Sequence, residues 1–111
     1  MIKLGPQLYT AREYTQTPEG IEKTFRICRE NNYETVQISG FGPMPIDQMT
    51  ALLEKYEIDV CCTHSPFDRM KEDLDTLIEE HKRMNTSVIG LGAMSGDYRQ
   101  TPEGVYQFVE D

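Results

Sequence analysis

His64 closes the stretch "IDVCCTH", Ile58–His64. Imidazole is the side chain suited to moving protons near neutral pH. At the C-terminal end of a buried strand, a histidine stands where parallel α/β folds bind their ligands. Its possible tasks there are substrate contact, acid–base work or metal ligation. A metal centre takes three or more protein ligands, so one histidine assembles none, and no metal site is assigned. His64 is the best catalytic candidate. Gln7 and Tyr9 end the apolar stretch Ile2–Tyr9, and Gln37 lies in Thr35–Ser39. Their amides and hydroxyl can hydrogen-bond a polar ligand, but glutamine cannot ionise and so cannot act as a general base. Gln7, Tyr9, Gln37 and His64 therefore form the expected set for binding a small polar molecule.

Other reactive residues have simpler readings. Cys62 and His64 share a strand face, but their side chains start ~7 Å apart, a poor nucleophile–base pair. Arg12 could meet a phosphate or carboxylate, although a solvated loop arginine accounts for it. His81 falls late in the acidic run "KEDLDTLIEEHK", where positive charge favours a helix C-terminus. The acidic run itself reads as a solvated face, and the methionines as packing. The three cysteines show no CxxC spacing, so they read as reduced thiols in a reducing compartment.

Alternating elements must carry these residues. Ile2–Tyr9 reads as a strand. Thr17-Pro18 reads as an N-cap with proline at the first helical position, and Ile21, Phe25 and Cys28 follow at helical spacing. Asn32 closes that helix. Thr35–Ser39 is the second strand. Ile46, Met49, Leu52, Leu53 and Tyr56 form the next helical stripe. Ile58–His64 is the third strand, and Met70, Leu74, Leu77 and Ile78 mark the third helix. Ser87–Met94 is the fourth strand, after which a second "TPEG" caps a fourth helix.

Strict β-α alternation with short connections implies parallel strands and right-handed crossovers. No G-x-G-x-x-G or P-loop follows the first strand. The strand faces are unequal. Ile2, Leu4 and Leu8 share one face of the first strand, and Val36 and Ile38 share one face of the second. The opposite faces are polar toward their C-terminal ends. An open sheet covered on both sides would be apolar on both, whereas a barrel mouth is polar inside. The expected fold is α/β, a parallel (βα)4 segment forming the N-terminal half of a TIM (β/α)8 barrel, with residues 1–111 as a single partial domain. A complete barrel takes roughly 250 residues. The near-repeat of "EYTQTPEG" from Glu13 and "DYRQTPEG" from Asp97 then marks the same place twice, a βα loop entering a helix cap. The preceding strands barely match, which favours convergent loop chemistry over duplication. The second helix so opened has about ten residues, short for covering a strand pair.

"KLGPQLYTAR", "YETVQISGFG", "CCTHSPFDRMKEDLDTLIEEHKRMN" and "SVIGLGAM" resemble the sugar phosphate isomerases/epimerases, the xylose-isomerase-like TIM barrels, over the first four βα units of that family. The resemblance implies isomerisation or epimerisation of a sugar or sugar derivative by proton or hydride transfer next to a carbonyl. It also implies a divalent metal in a full-length relative, held by carboxylates and a histidine on later strands. None is expected to be bound by this segment alone, which would supply the substrate-facing half of a site and be inactive by itself. Gln37 stands where relatives often carry glutamate, so conventional chemistry at that corner is in doubt.

The formal net charge is −8, with no local Lys/Arg cluster, which argues against a nucleic-acid partner. No apolar run approaches the ~20 residues of a membrane span, and "MIKLGPQLYT" lacks signal-peptide features. The expectations are therefore no membrane partner and a cytoplasmic location. A half-barrel would also leave its first and fourth strands as open edges. This suggests an alternative to the enzyme reading: a non-catalytic, ligand-binding homodimer paired edge to edge.

Overall fold

The computed structural model describes Met1–Asp111, the whole sequence. The elements run in the expected order: a 3-10 helix over Leu8–Tyr14, α1 (Pro18–Glu30), β1 (Thr35–Ile38), α2 (Ile46–Tyr56), β2 (Asp59–His64), α3 (Phe67–Glu72), α4 (Leu74–Arg83), β3 (Ile89–Gly90), a 3-10 turn at Tyr98–Gln100, and α5 (Pro102–Glu110). The strands form one sheet in the order β1-β2-β3, each pair parallel. Gln7 bridges Gln37 in parallel on the free side of β1. Sequence order thus equals spatial order, with helices crossing between neighbours, as along the wall of a barrel. The fold is α/β and corresponds to part of a TIM barrel. A radius of gyration of 15.2 Å exceeds the ~13 Å of a compact chain of this length, as an open arc should.

Helix starts follow the sequence. Thr17 Oγ1 accepts the Gly20 N–H at 3.2 Å with Pro18 in the first turn. Thr101 Oγ1 accepts the Gly104 N–H at 3.0 Å ahead of α5. The glycine is required in both copies. A β-carbon on Gly20 would stand 2.1 Å from the Tyr14 carbonyl oxygen, and one on Gly104 would stand 2.5 Å from that of Tyr98. The repeated stretch is thus a recurring turn that folds a tyrosine carbonyl under a helix start. α1 ends where Asn32 takes a positive φ of 64° and the Tyr33 N–H reaches back to the Cys28 carbonyl, a left-handed helix terminus.

The core joins Leu8, Ile21, Phe25, Cys28, Val36, Ile38, Met49, Leu52, Leu53, Ile58 and Val60. The stripes on α1 and α2 bury as their spacing predicts. Four expectations need correction. The first strand shrinks to the bridge at Gln7, because Pro6 has no N–H to donate and the segment pairs on one side only. Ile2 and Leu4 are exposed, since nothing covers that face. The fourth strand shrinks to Ile89–Gly90, again a one-sided edge, rich in glycine. The third helix breaks at Asp73, which leaves helical geometry at φ −143° and ψ 41°, and of its expected stripe only Leu77 is buried.

His81 has a structural role, as expected, but through contacts other than a charge at the helix end. It is buried. Its Nδ1–H donates to the Leu77 carbonyl at 2.7 Å, which leaves Nε2, 2.7 Å from Thr63 Oγ1, to accept from that hydroxyl. His81 therefore pins α4 to β2. No helix is long and apolar enough to cross a membrane.

Candidate functional site at the sheet rim

A register shift brings the polar residues together. Val36 aligns with Val60, but Gln37 aligns with Cys62, so Cys61 is the extra residue of a bulge in β2. A bulge re-aims the side chains that follow it. Thr63 consequently packs toward α4, while Cys62 and His64 join the face of Gln37 and Ser39. Gln7 extends that face across the bridge to β1.

His64 is held on both ring nitrogens. Nε2 lies 2.7 Å from Gln37 Nε2, and Nδ1 lies 3.1 Å from Ser39 Oγ. With the Gln37 amide nitrogen donating, Nε2 is the acceptor. The ring proton then sits on Nδ1 and donates to the serine oxygen. Protonating Nε2 requires the Gln37 amide to turn its oxygen inward. Ser39 is buried yet lines the rim cavity, and its hydroxyl hydrogen remains available to a ligand. β3 makes room for the ring, since a β-carbon on Gly92 would stand 2.8 Å from His64 Nδ1.

The cavity above this cluster has a volume of about 490 Å³, with Gln7, Tyr9, Ser39, His64, Phe67 and Gly92 among its lining residues. The lining holds no Asp, Glu, Lys or Arg. Gln37 lies beneath the ring and does not line the cavity. Tyr9 belongs to the 3-10 helix rather than to a strand end. Arg12 stacks its guanidinium over the Tyr9 ring at 4.5 Å and donates to the Tyr9 carbonyl. The structure thus brings Gln7, Tyr9 and His64 to one cavity and sets Gln37 behind it. Ser39 and Gly92 were not singled out from the sequence. The polar face shared by Gln37 and Ser39, and the Gly-Leu-Gly spacing opposite His64, were the available signals.

Burial pushes the Cys62 thiol up, with the neighbouring Cys61 adding to the effect. Cys62 is therefore held as a thiol rather than a thiolate nucleophile. Nowhere does the fold gather three His, Cys, Asp or Glu side chains around a point that could hold a metal ion. At the rim, His64 stands among neutral amides and hydroxyls, a donor set that does not fit a divalent metal unaided.

No protein-family model matches the chain, and no curated protein matches it. Among solved structures it is similar to a crystal structure of a xylose isomerase domain-containing protein from Salmonella typhimurium LT2, with a TM-score of 0.63 and 13% sequence identity. The match covers 99% of this chain and 45% of the neighbour. At that identity the likeness is one of fold: this chain has the architecture of slightly less than half of a xylose-isomerase-like TIM-barrel protein.

Proposed function

We propose that the chain supplies the N-terminal, substrate-facing half of a sugar phosphate isomerase/epimerase-like site and binds a small sugar-like ligand at the sheet rim. The observation that carries this reading is the convergence of Gln7, Ser39 and His64 on one cavity without carboxylate, lysine or arginine side chains. Neutral amide and hydroxyl groups fixed by a sheet recognise ligand hydroxyls without competing for protons. The fold shared with a xylose isomerase domain-containing protein supports the same substrate class. Within this half, His64 orients a ligand through the Ser39 hydroxyl, and Gln37 fixes the ring. The residues present do not hold the metal expected of a full-length relative, and none of the rim groups is a carboxylate base. The chain alone therefore binds without turning over.

The test is to titrate the chain with aldoses, ketoses and their phosphates while following the His64 ring resonances. Millimolar binding is expected, centred on His64 and Ser39. It should be lost in His64→Ala and weakened about tenfold in Ser39→Ala, equivalent to ~1.4 kcal/mol. No exchange of substrate carbon-bound hydrogen in heavy water is expected. Binding that leaves His64 unperturbed, or survives His64→Ala, would overturn the reading.

A further inference from the structure

The arc has two unlike open ends, and each carries what the other lacks. At the first end, a cavity of about 540 Å³ runs along α1, lined by Leu8, Tyr14, Lys23, Ile27, Cys28 and Tyr33, among others. Lys23 is the only charged residue of that lining, and it makes no ion pair within the chain. At the second end, α5 packs on the Tyr98 turn and on Phe67 through Phe108. Its other apolar side is open, with Tyr106 74% and Val109 75% exposed. α5 carries Glu103 and Glu110 and no basic residue.

We propose that two copies of this chain dock end to end about a two-fold axis. The α5 helix of each copy then lies in the α1 groove of the other. In a parallel barrel, the helix after a strand covers the gap to the next strand. Here α5 follows β3, and the gap beyond β3 is open. A two-fold axis along the cylinder brings the Gln7 side of one copy against β3 of the other, twice, and keeps every strand parallel. Each copy corresponds to 45% of the structural neighbour, so two copies account for nearly one whole cylinder. Val105, Tyr106 and Val109 supply an apolar ridge for the groove. Glu110 of one copy meets Lys23 of the other, so charge sets the register. This inference rests on the open ends and not on the ligand reading of the rim.

Sedimentation of the 111-residue chain at about 10–100 µM, above a micromolar dissociation constant, should show a discrete dimer. Ile27→Asp and Val109→Asp should each weaken dimerisation at least tenfold, as expected for buried interface positions, with unchanged far-ultraviolet circular dichroism. Lys23→Glu and Glu110→Lys should each weaken it as well. Mixing those two variants should restore the dimer, because both junctions then pair opposite charges. A monomer over this range would overturn the proposal and leave the groove to a segment outside these residues. So would open-ended oligomers, a dimer indifferent to Ile27→Asp and Val109→Asp, or a mixture that fails to rescue.

Discussion

α1 and α5 open with the same four residues, Thr-Pro-Glu-Gly, and with the same construction. In each, the threonine oxygen takes the glycine N–H, and the glycine sits against the carbonyl of a tyrosine. Beyond the cap they part. α1 buries Ile21, Phe25 and Cys28, while α5 buries no residue. The difference lies outside the helices. α1 packs over the junction of the Gln7 segment and β1, with α2 alongside. α5 follows β3, a strand with a neighbour on one side only. Cap chemistry decides where a helix begins, whereas burial depends on having a second strand to bridge.

The sharpest way to break this comparison is to remove one aromatic from each helix. Phe25 is fully buried and stacks near Phe41 with ring centroids 6.0 Å apart. Phe25→Ala should lower unfolding free energy by about 3–5 kcal/mol in urea titrations. Phe108 is only partly covered, in a cluster with Phe67 and Tyr98. Phe108→Ala should cost about 1 kcal/mol, read mainly as faster amide exchange in α5 with the global midpoint little moved. Equal losses at the two positions would show that α5 belongs to the same cooperative unit as α1, and the contrast would fall.

The same contrast explains what could be read from the sequence. Helix starts at Thr17 and Thr101 are local chemistry and could be located from a few residues. The stripes of α1 and α2 and the alternation that implies parallel strands could be read because each of those helices buries one full stripe over the sheet. The first and fourth strands were overdrawn. Ile2–Tyr9 and Ser87–Met94 have strand-like composition, but Pro6, Gly90 and one-sided pairing shorten what forms. The break at Asp73 escaped because the apolar spacing of Met70, Leu74 and Leu77 runs through it. At the rim, His64 and Gln7 could be placed by counting along strands. The pairing of His64 with Gln37 and Ser39 depends on a register between strands far apart in the chain, and on a bulge at Cys61. No local pattern encodes that. For His81 the structural role could be read but not the partner, since Thr63 comes from β2 rather than from the helix end.

Removing each cap makes a smaller test. Thr17→Ala and Thr101→Ala delete the same hydrogen bond and should each cost about 1 kcal/mol of local helix stability. The effect should appear in different places. At Thr17, the start of α1 is tied to the core through Ile21, so the loss should register in the global unfolding midpoint. At Thr101, it should register as fraying of α5, seen in amide exchange. A Thr101→Ala variant whose global midpoint falls as far as that of Thr17→Ala would indicate that α5 is more tightly coupled than its packing implies.

The smallest expected effect concerns what holds α5 in place of a buried face. Asp111 accepts from Lys71 Nζ at 2.8 Å, from the Tyr98 hydroxyl at 2.6 Å and from Gln107 Nε2 at 2.6 Å. The Lys71 contact first, then those from Tyr98 and Gln107, lowers the carboxyl from an ordinary 3.8 to about 2. A carboxyl depressed in the docked state favours docking when ionised. The contribution is complete above about pH 4 and disappears as the pH falls toward about 2. Because these contacts are at the surface, salt should weaken them. Amide protection in α5 should therefore fall between about pH 4 and pH 2, ahead of that in α1, and Asp111→Asn should remove this pH dependence. Protection of α5 that stays flat across that window, or declines identically in Asp111→Asn, would mean that the aromatic contacts of Phe108 hold the helix and the carboxylate merely follows it.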